Sequence, residues 1–266
     1  MSLQLNLEKS AKSLVMSLEK AGIINVPRVE LAVGVDVTGS FDDEHRDLST
    51  DSLLTRLAPW GLTFDPDKKL DAFTFADGAN SVQDIGPVDA SNYFGFLPKK
   101  LFGVDVSRYP NGIPQSVGAI LKGYGGSTHY SYLVERMLKH FGWAGQEVKR
   151  AGFFGRMLGQ KDTVIGGEKK RSLGIIITDG DNFDEDRTRQ VLRESQARGD
   201  QVYFLFLGVC NGGSTFRFLK SIGDEFDNTG FVEVKNLAKF IALSDEELNA
   251  ELLSDELLKW FAAGGQ

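Results

Sequence analysis

Three apolar runs constrain this chain more than any other feature: Val29 to Val35 (VELAVGV, broken only by Glu30), Leu173 to Ile177 (LGIII) and Val202 to Val209 (VYFLFLGV). A strand that is apolar on both faces has to be covered on both faces, which is the condition of a parallel sheet between two layers of helices. Each of the first two runs stops at a short polar, glycine-containing loop, Asp36-Val37-Thr38-Gly39-Ser40 after the first and Thr178-Asp179-Gly180-Asp181 after the second. Between and around them the pattern switches to helical spacing. Residues 130–141 (YSYLVERMLKHF) read as a helix behind the loop Gly125-Gly126-Ser127-Thr128, and 185–198 and 216–222 read as further helices. Leu70 to Phe75 (LDAFTF) and Gly230 to Val234 (GFVEV) read as strands. The alternation predicts an α/β fold of Rossmann-like kind: a doubly wound, mostly parallel central sheet flanked by helices.

We expect one domain over residues 1–266. It begins with an amphipathic helix over about 9–22 (Ala11, Leu14, Val15 and Leu18 at helical spacing) and ends with a helix over about 244–262, opened by a capping box from Ser244 to Glu247. Between the helix ending near Phe141 and the strand at Leu173 the connection is long, and we expect an insertion or β-hairpin lid over about 142–172. From Glu147 to Arg171 it carries seven basic and three acidic residues. That surplus suits a solvated loop or a site for an acidic partner or a phosphate.

Charge and cysteine content narrow the function. A net charge of -7 argues against a general nucleic-acid or anionic-membrane surface. Cys210 is the single cysteine, which excludes an intrachain disulfide and a thiolate cluster and suits a reducing compartment. The start of the sequence lacks the pattern of a secretory leader, and no window approaches the ~18 apolar residues of a membrane span. The expected location is the cytoplasm.

In an open α/β sheet, ligands bind beyond the carboxyl ends of the strands. Three polar groups fall there: Asp36, Thr38 and Ser40 after the first run, Ser127 and Thr128 ahead of a helix, and Asp179 with Asp181 after the second run. All offer oxygen ligands, the donor type that magnesium, manganese and calcium take. Magnesium is the default among the three. Asp184 is expected to cap the following helix, and Asp42, Asp43 and Glu44 to complement the dipole of another. His45, His129 and His140 are scattered, without metal-ligand spacing, and are expected at the surface or behind the ligands.

The pattern Asp36-x-Thr38-x-Ser40, the loop residue Thr128 and the strand-end Asp179 together resemble the metal-ion-dependent adhesion site of von Willebrand A domains. The resemblance implies that Thr38 and Ser40 bind the metal directly, that Thr128 can join them, and that Asp36 and Asp179 act often through water. The commonest form of that motif has serine where Thr38 stands; threonine keeps the hydroxyl. SLEKAGI, LTFDPDKKLDAFTF and FDNTGFVEV are similar to the tellurium-resistance and copine-like branch of the family. The implied function is non-enzymatic: binding of a protein partner whose acidic side chain completes the coordination of the metal, in a stress-response setting. DVTGS and GDNFD also resemble the loops of haloacid-dehalogenase phosphotransferases, in which Asp36 would be a nucleophile. A structural domain with an incidental metal site is a third reading.

Overall fold

The computed structural model describes residues 3–145, 147–149, 163–165, 168–210 and 214–264. In chain order the strands are β1 (Glu30–Asp36), β2 (Leu70–Phe75), β3 (Gln83–Val88), β4 (Glu147–Lys149), β5 (Thr163–Ile165), β6 (Ser172–Thr178), β7 (Val202–Val209) and β8 (Thr229–Val234). The central sheet has six strands in the order β3-β2-β1-β6-β7-β8. All its pairings are parallel except that of the edge strand β3 with β2. Gly86 and Pro87 sit in β3, consistent with the confinement of proline to edge strands.

The three long apolar runs become the three central strands, and their side chains alternate between two cores. Leu31, Val33 and Val35 of β1 and Tyr203, Leu205 and Leu207 of β7 face one core; Ala32, Phe204 and Phe206 face the other. The first core is closed by α1 (Leu7–Lys20), α3 (Ser49–Phe64), α4 (Phe96–Phe102), α8 (Leu237–Ile241), α9 (Asp245–Leu252) and α10 (Asp255–Ala263). The second is closed by α5 (Tyr130–His140), α6 (Glu185–Arg198) and α7 (Arg217–Glu225). With α2 (Asp42–Arg46) the described residues hold ten α-helices. No helix among them is long and apolar enough to cross a membrane.

Two glycines let α5 lie close on the sheet. A side chain at Gly34 would run into Leu133, and one at Gly174 into Met137 and Phe204. That close seat fixes the start of α5, and with it Thr128, over the carboxyl ends of β1 and β6.

The segment expected as one terminal helix over 244–262 is two helices. The capping box at its start is present: the Ser244 hydroxyl accepts the Glu247 N–H, and the Glu247 carboxylate accepts the Ser244 N–H. The first helix stops at Leu252, and Ser254 caps a second by accepting the N–H of Leu257. The break turns Leu257 and Phe261 onto the core, where the Phe261 ring packs at a tilt against Phe64. Helix α1 runs over Leu7–Lys20, two residues earlier than expected, because Asn6 caps it through the N–H of Lys9. Most of the expected insertion over 142–172 lies outside the described residues; its two short strands β4 and β5 pair antiparallel.

Candidate metal centre

The sheet order reverses between β1 and β6, the position at which helices leave to opposite faces and a crevice opens. Val35 pairs with Ile177 there, so the next residues, Asp36 and Thr178, end their strands side by side. Thr178 Oγ1 donates to Asp36 Oδ2 at 2.6 Å. Asp36 Oδ1 accepts the N–H of Thr38 at 2.9 Å, which folds the loop back so that Thr38 Oγ1 and Ser40 Oγ lie 3.2 Å apart. Ser40 donates to Asp179 Oδ1 at 3.1 Å, and Thr128 Oγ1 lies 3.4 Å from Asp36 Oδ2. All five residues singled out from the sequence therefore meet in one cluster. Asp36, Thr38, Thr128 and Asp179 are buried, and Ser40 is exposed at the mouth.

Other residues hold these five in place, among them Tyr130, which the sequence reading did not select. Buried Tyr130 donates to the Gly180 carbonyl at 2.6 Å and lies 3.2 Å from Thr178 Oγ1, joining the start of α5 to the loop after β6. His45, expected at the surface or behind the ligands, is buried: Nε2 is 2.8 Å from the Asp36 carbonyl and Nδ1 2.7 Å from Thr50 Oγ1. Because a carbonyl only accepts, Nε2 carries the proton. Burial, partly countered by the Asp36 carbonyl, pushes the His45 pKa down to about 4 and keeps the ring neutral. Asp184 stands at the N-cap position of α6 but makes no side-chain cap bond there. Its carboxylate instead accepts the N–H groups of Tyr130 and Ser131, so it caps α5 and steadies Thr128. Asp181 is exposed and accepts the Phe216 N–H at 3.2 Å, tying down the loop before α7.

Asp42, Asp43 and Glu44 occupy the first turn of α2 as expected, and Asp42 has a second task. It accepts from Arg46 Nε at 2.6 Å, Tyr124 OH at 2.7 Å and Gln115 Nε2 at 3.2 Å, fastening the segment between α4 and α5 to α2. Burial works against its ionisation, but those hydrogen bonds and the Arg46 charge outweigh it and hold its pKa below the ordinary value. Ser127 Oγ lies 3.4 Å from His129 Nε2. A second acidic group, Glu30, Asp65 and Asp67, lies at the other end of β1. Lys170 contacts Glu30 at 2.7 Å, and Asp65 accepts the N–H groups of Leu31 and Asp67, so the fold itself employs these acids.

The electrostatics of the cluster suit a cation. Burial pushes the Asp36 pKa up from 3.8 to about 7; the Thr178 hydrogen bond lowers it, and the Asp179 charge raises it further. Glu44 is pushed up in the same way by burial, with Asp179 adding to the effect, and its Oε2 is buried without a hydrogen-bond partner among the described residues. Carboxyls held together out of water, lined by hydroxyl oxygens, are the donor set of a hard divalent ion. A Cβ at Gly180 would fall 2.7 Å from Thr128 Oγ1. Gly180→Ala is therefore expected to swing the Thr128 hydroxyl away and weaken magnesium affinity about tenfold without unfolding the domain, a loss on the scale of one ligand interaction. Calorimetric titration alongside circular dichroism measures both.

A family model described as "vWA found in TerF C terminus" matches residues 28–266. The chain belongs to the TerF-like family of von Willebrand A domains. Solved structures similar to this vWA domain include proximal thread matrix protein 1 from the mussel byssus, at 11% identity and TM-score 0.48, covering 84% of this chain and 47% of that one. A second structure of that protein, titled as having a zinc-occupied MIDAS motif, is 12% identical with TM-score 0.45, covering 88% and 48%. Manganese-loaded TRAP protein of Plasmodium vivax is 14% identical with TM-score 0.45, covering 88% and 75%. The vWA domain thus spans about half the length of the mussel protein. No curated protein matched the sequence.

Proposed function

We propose that this vWA domain is a metal-dependent protein-binding module rather than an enzyme. The observation that carries the reading is the meeting of Asp36, Thr38, Ser40, Thr128 and Asp179 at the switch point of the sheet, around a carboxyl that burial makes reluctant to ionise. Thr38, Ser40 and Thr128 would offer hydroxyl oxygens to the ion, with Asp36 and Asp179 supplying negative charge. The ion, magnesium by default and manganese or calcium equally compatible with an all-oxygen set, supplies positive charge and a coordination position for a partner's carboxylate. Ser40, at the mouth, marks the side from which that carboxylate arrives.

Burial also favours a ligand over a nucleophile at Asp36. Both carboxylate oxygens are engaged, Oδ1 by the Thr38 N–H and Oδ2 by Thr178, and the side chain is inaccessible to solvent. A phosphotransferase needs that oxygen exposed for attack. The likeness to TerF supports a role in tellurium resistance or a related stress response, and the single cysteine suits the cytoplasm.

Selection of random displayed heptapeptides against the magnesium-loaded domain tests the reading. Peptides enriched in Asp or Glu, released by EDTA and inactive with the amide replacement, are expected. Metal-independent binders alone, or Asp36-dependent turnover of p-nitrophenyl phosphate, would contradict it.

A further inference from the structure

Phe183 lies in the loop after β6 and is 73% exposed. A lone exposed apolar side chain is ordinary on a protein surface. This one differs in being fixed relative to the candidate ligands: its N–H donates to the Thr128 carbonyl at 2.9 Å. The structural work of the loop falls to its polar neighbours. Asp181 holds Phe216, buried Asn182 bonds Thr188 and accepts the Asp184 N–H, and Asp184 caps α5. The ring of Phe183 adds nothing to either core. Among the described residues, three exposed acids flank the loops that carry the candidate ligands: Asp43, Asp181 and Asp77, the last packed against Gly126 in the loop that carries Thr128.

We infer that Phe183 is a specificity-determining contact for the partner: it receives an aliphatic side chain adjacent to the single carboxylate that approaches the metal. This rests on the binding-module reading above. The acidic rim argues for that partner and against a polyacidic one. One carboxylate is neutralised by the ion, whereas further acids would meet Asp43, Asp77 and Asp181 and be repelled. An apolar neighbour has no such cost and gains by covering the ring.

The test uses two blocked peptides, Leu-Asp-Leu and Gly-Asp-Gly, titrated into the manganese-loaded wild type and into Phe183→Ser, an exposed substitution that leaves both cores untouched. The leucine peptide is expected to bind the wild type about tenfold more tightly than the glycine peptide, the scale of partial burial of one leucine. In Phe183→Ser that preference should vanish while manganese affinity and glycine-peptide affinity stay unchanged. Metal-dependent binding of both peptides with the same preference in wild type and variant would overturn the role of Phe183 and leave the binding module standing. Failure of both peptides to bind in a metal-dependent way would overturn the module itself.

Discussion

Asp36→Asn is expected to make the metal-free domain more stable at pH 8 while removing its stabilisation by magnesium. A carboxyl moved from 3.8 to about 7 favours its protonated form by about 4 kcal/mol. Above pH 7 the folded chain bears that cost as a buried charge next to Asp179. The amide removes the charge but still presents an oxygen to Thr178 or the Thr38 N–H, so a gain of about 1–3 kcal/mol is expected once its own donors are placed. The folded wild type binds the Asp36 proton more tightly than the unfolded chain does. The contribution of Asp36 to stability is therefore greatest below pH 3.8 and declines until about pH 7. His45 runs the other way: its depressed value of about 4 gives stability that is present above 6.5 and lost as pH falls toward 4. The two offset each other in wild type. In Asp36→Asn the His45 contribution stands uncovered, and denaturant midpoints should climb between pH 4 and 6.5. Midpoints that fall in the variant at pH 8 would contradict the account.

Magnesium affinity should depend steeply on pH. A proton held with a pKa of about 7 competes with the ion for Asp36, so apparent affinity is expected to fall about tenfold per unit below pH 7 and to level off above it. Close to one proton should be released on binding at pH 6 and almost none at pH 8. Calorimetry in two buffers of different ionisation enthalpy reads the proton count directly. A pH-independent affinity would mean that Asp36 does not take part.

The sheet and the five clustered residues were legible because both are written locally. Apolar runs dictate strands covered on both faces, and a strand end followed by Asp36-x-Thr38-x-Ser40 places three oxygens in one turn. Helix α3 was not legible. It is buried along nearly its whole length, contains Pro59, and starts at Leu48 in a left-handed conformation without a side-chain cap, so it shows neither an amphipathic stripe nor a start signal. The supporting residues were hidden for another reason. Thr178 touches Asp36 only because β1 and β6 pair in one particular register, and His45 reaches the Asp36 carbonyl only because α2 folds back under the loop. Such contacts span the chain, and no local pattern announces them. Asp184 looked like a cap for the helix that follows it; the N–H groups of Tyr130 and Ser131 in α5, 54 and 53 residues away, compete for the same carboxylate and win.

The most direct test of the central claim is calorimetric titration of magnesium and manganese into the wild type and into the double variant Thr38→Val, Ser40→Ala at pH 8. These substitutions remove two hydroxyls, including the Ser40 donor to Asp179, and leave both carboxyls and the Thr178 and Tyr130 hydrogen bonds in place. One saturable site in the wild type, lost in the variant with the fold retained, is the predicted result. Equal binding by both proteins, or none by the wild type, would contradict it.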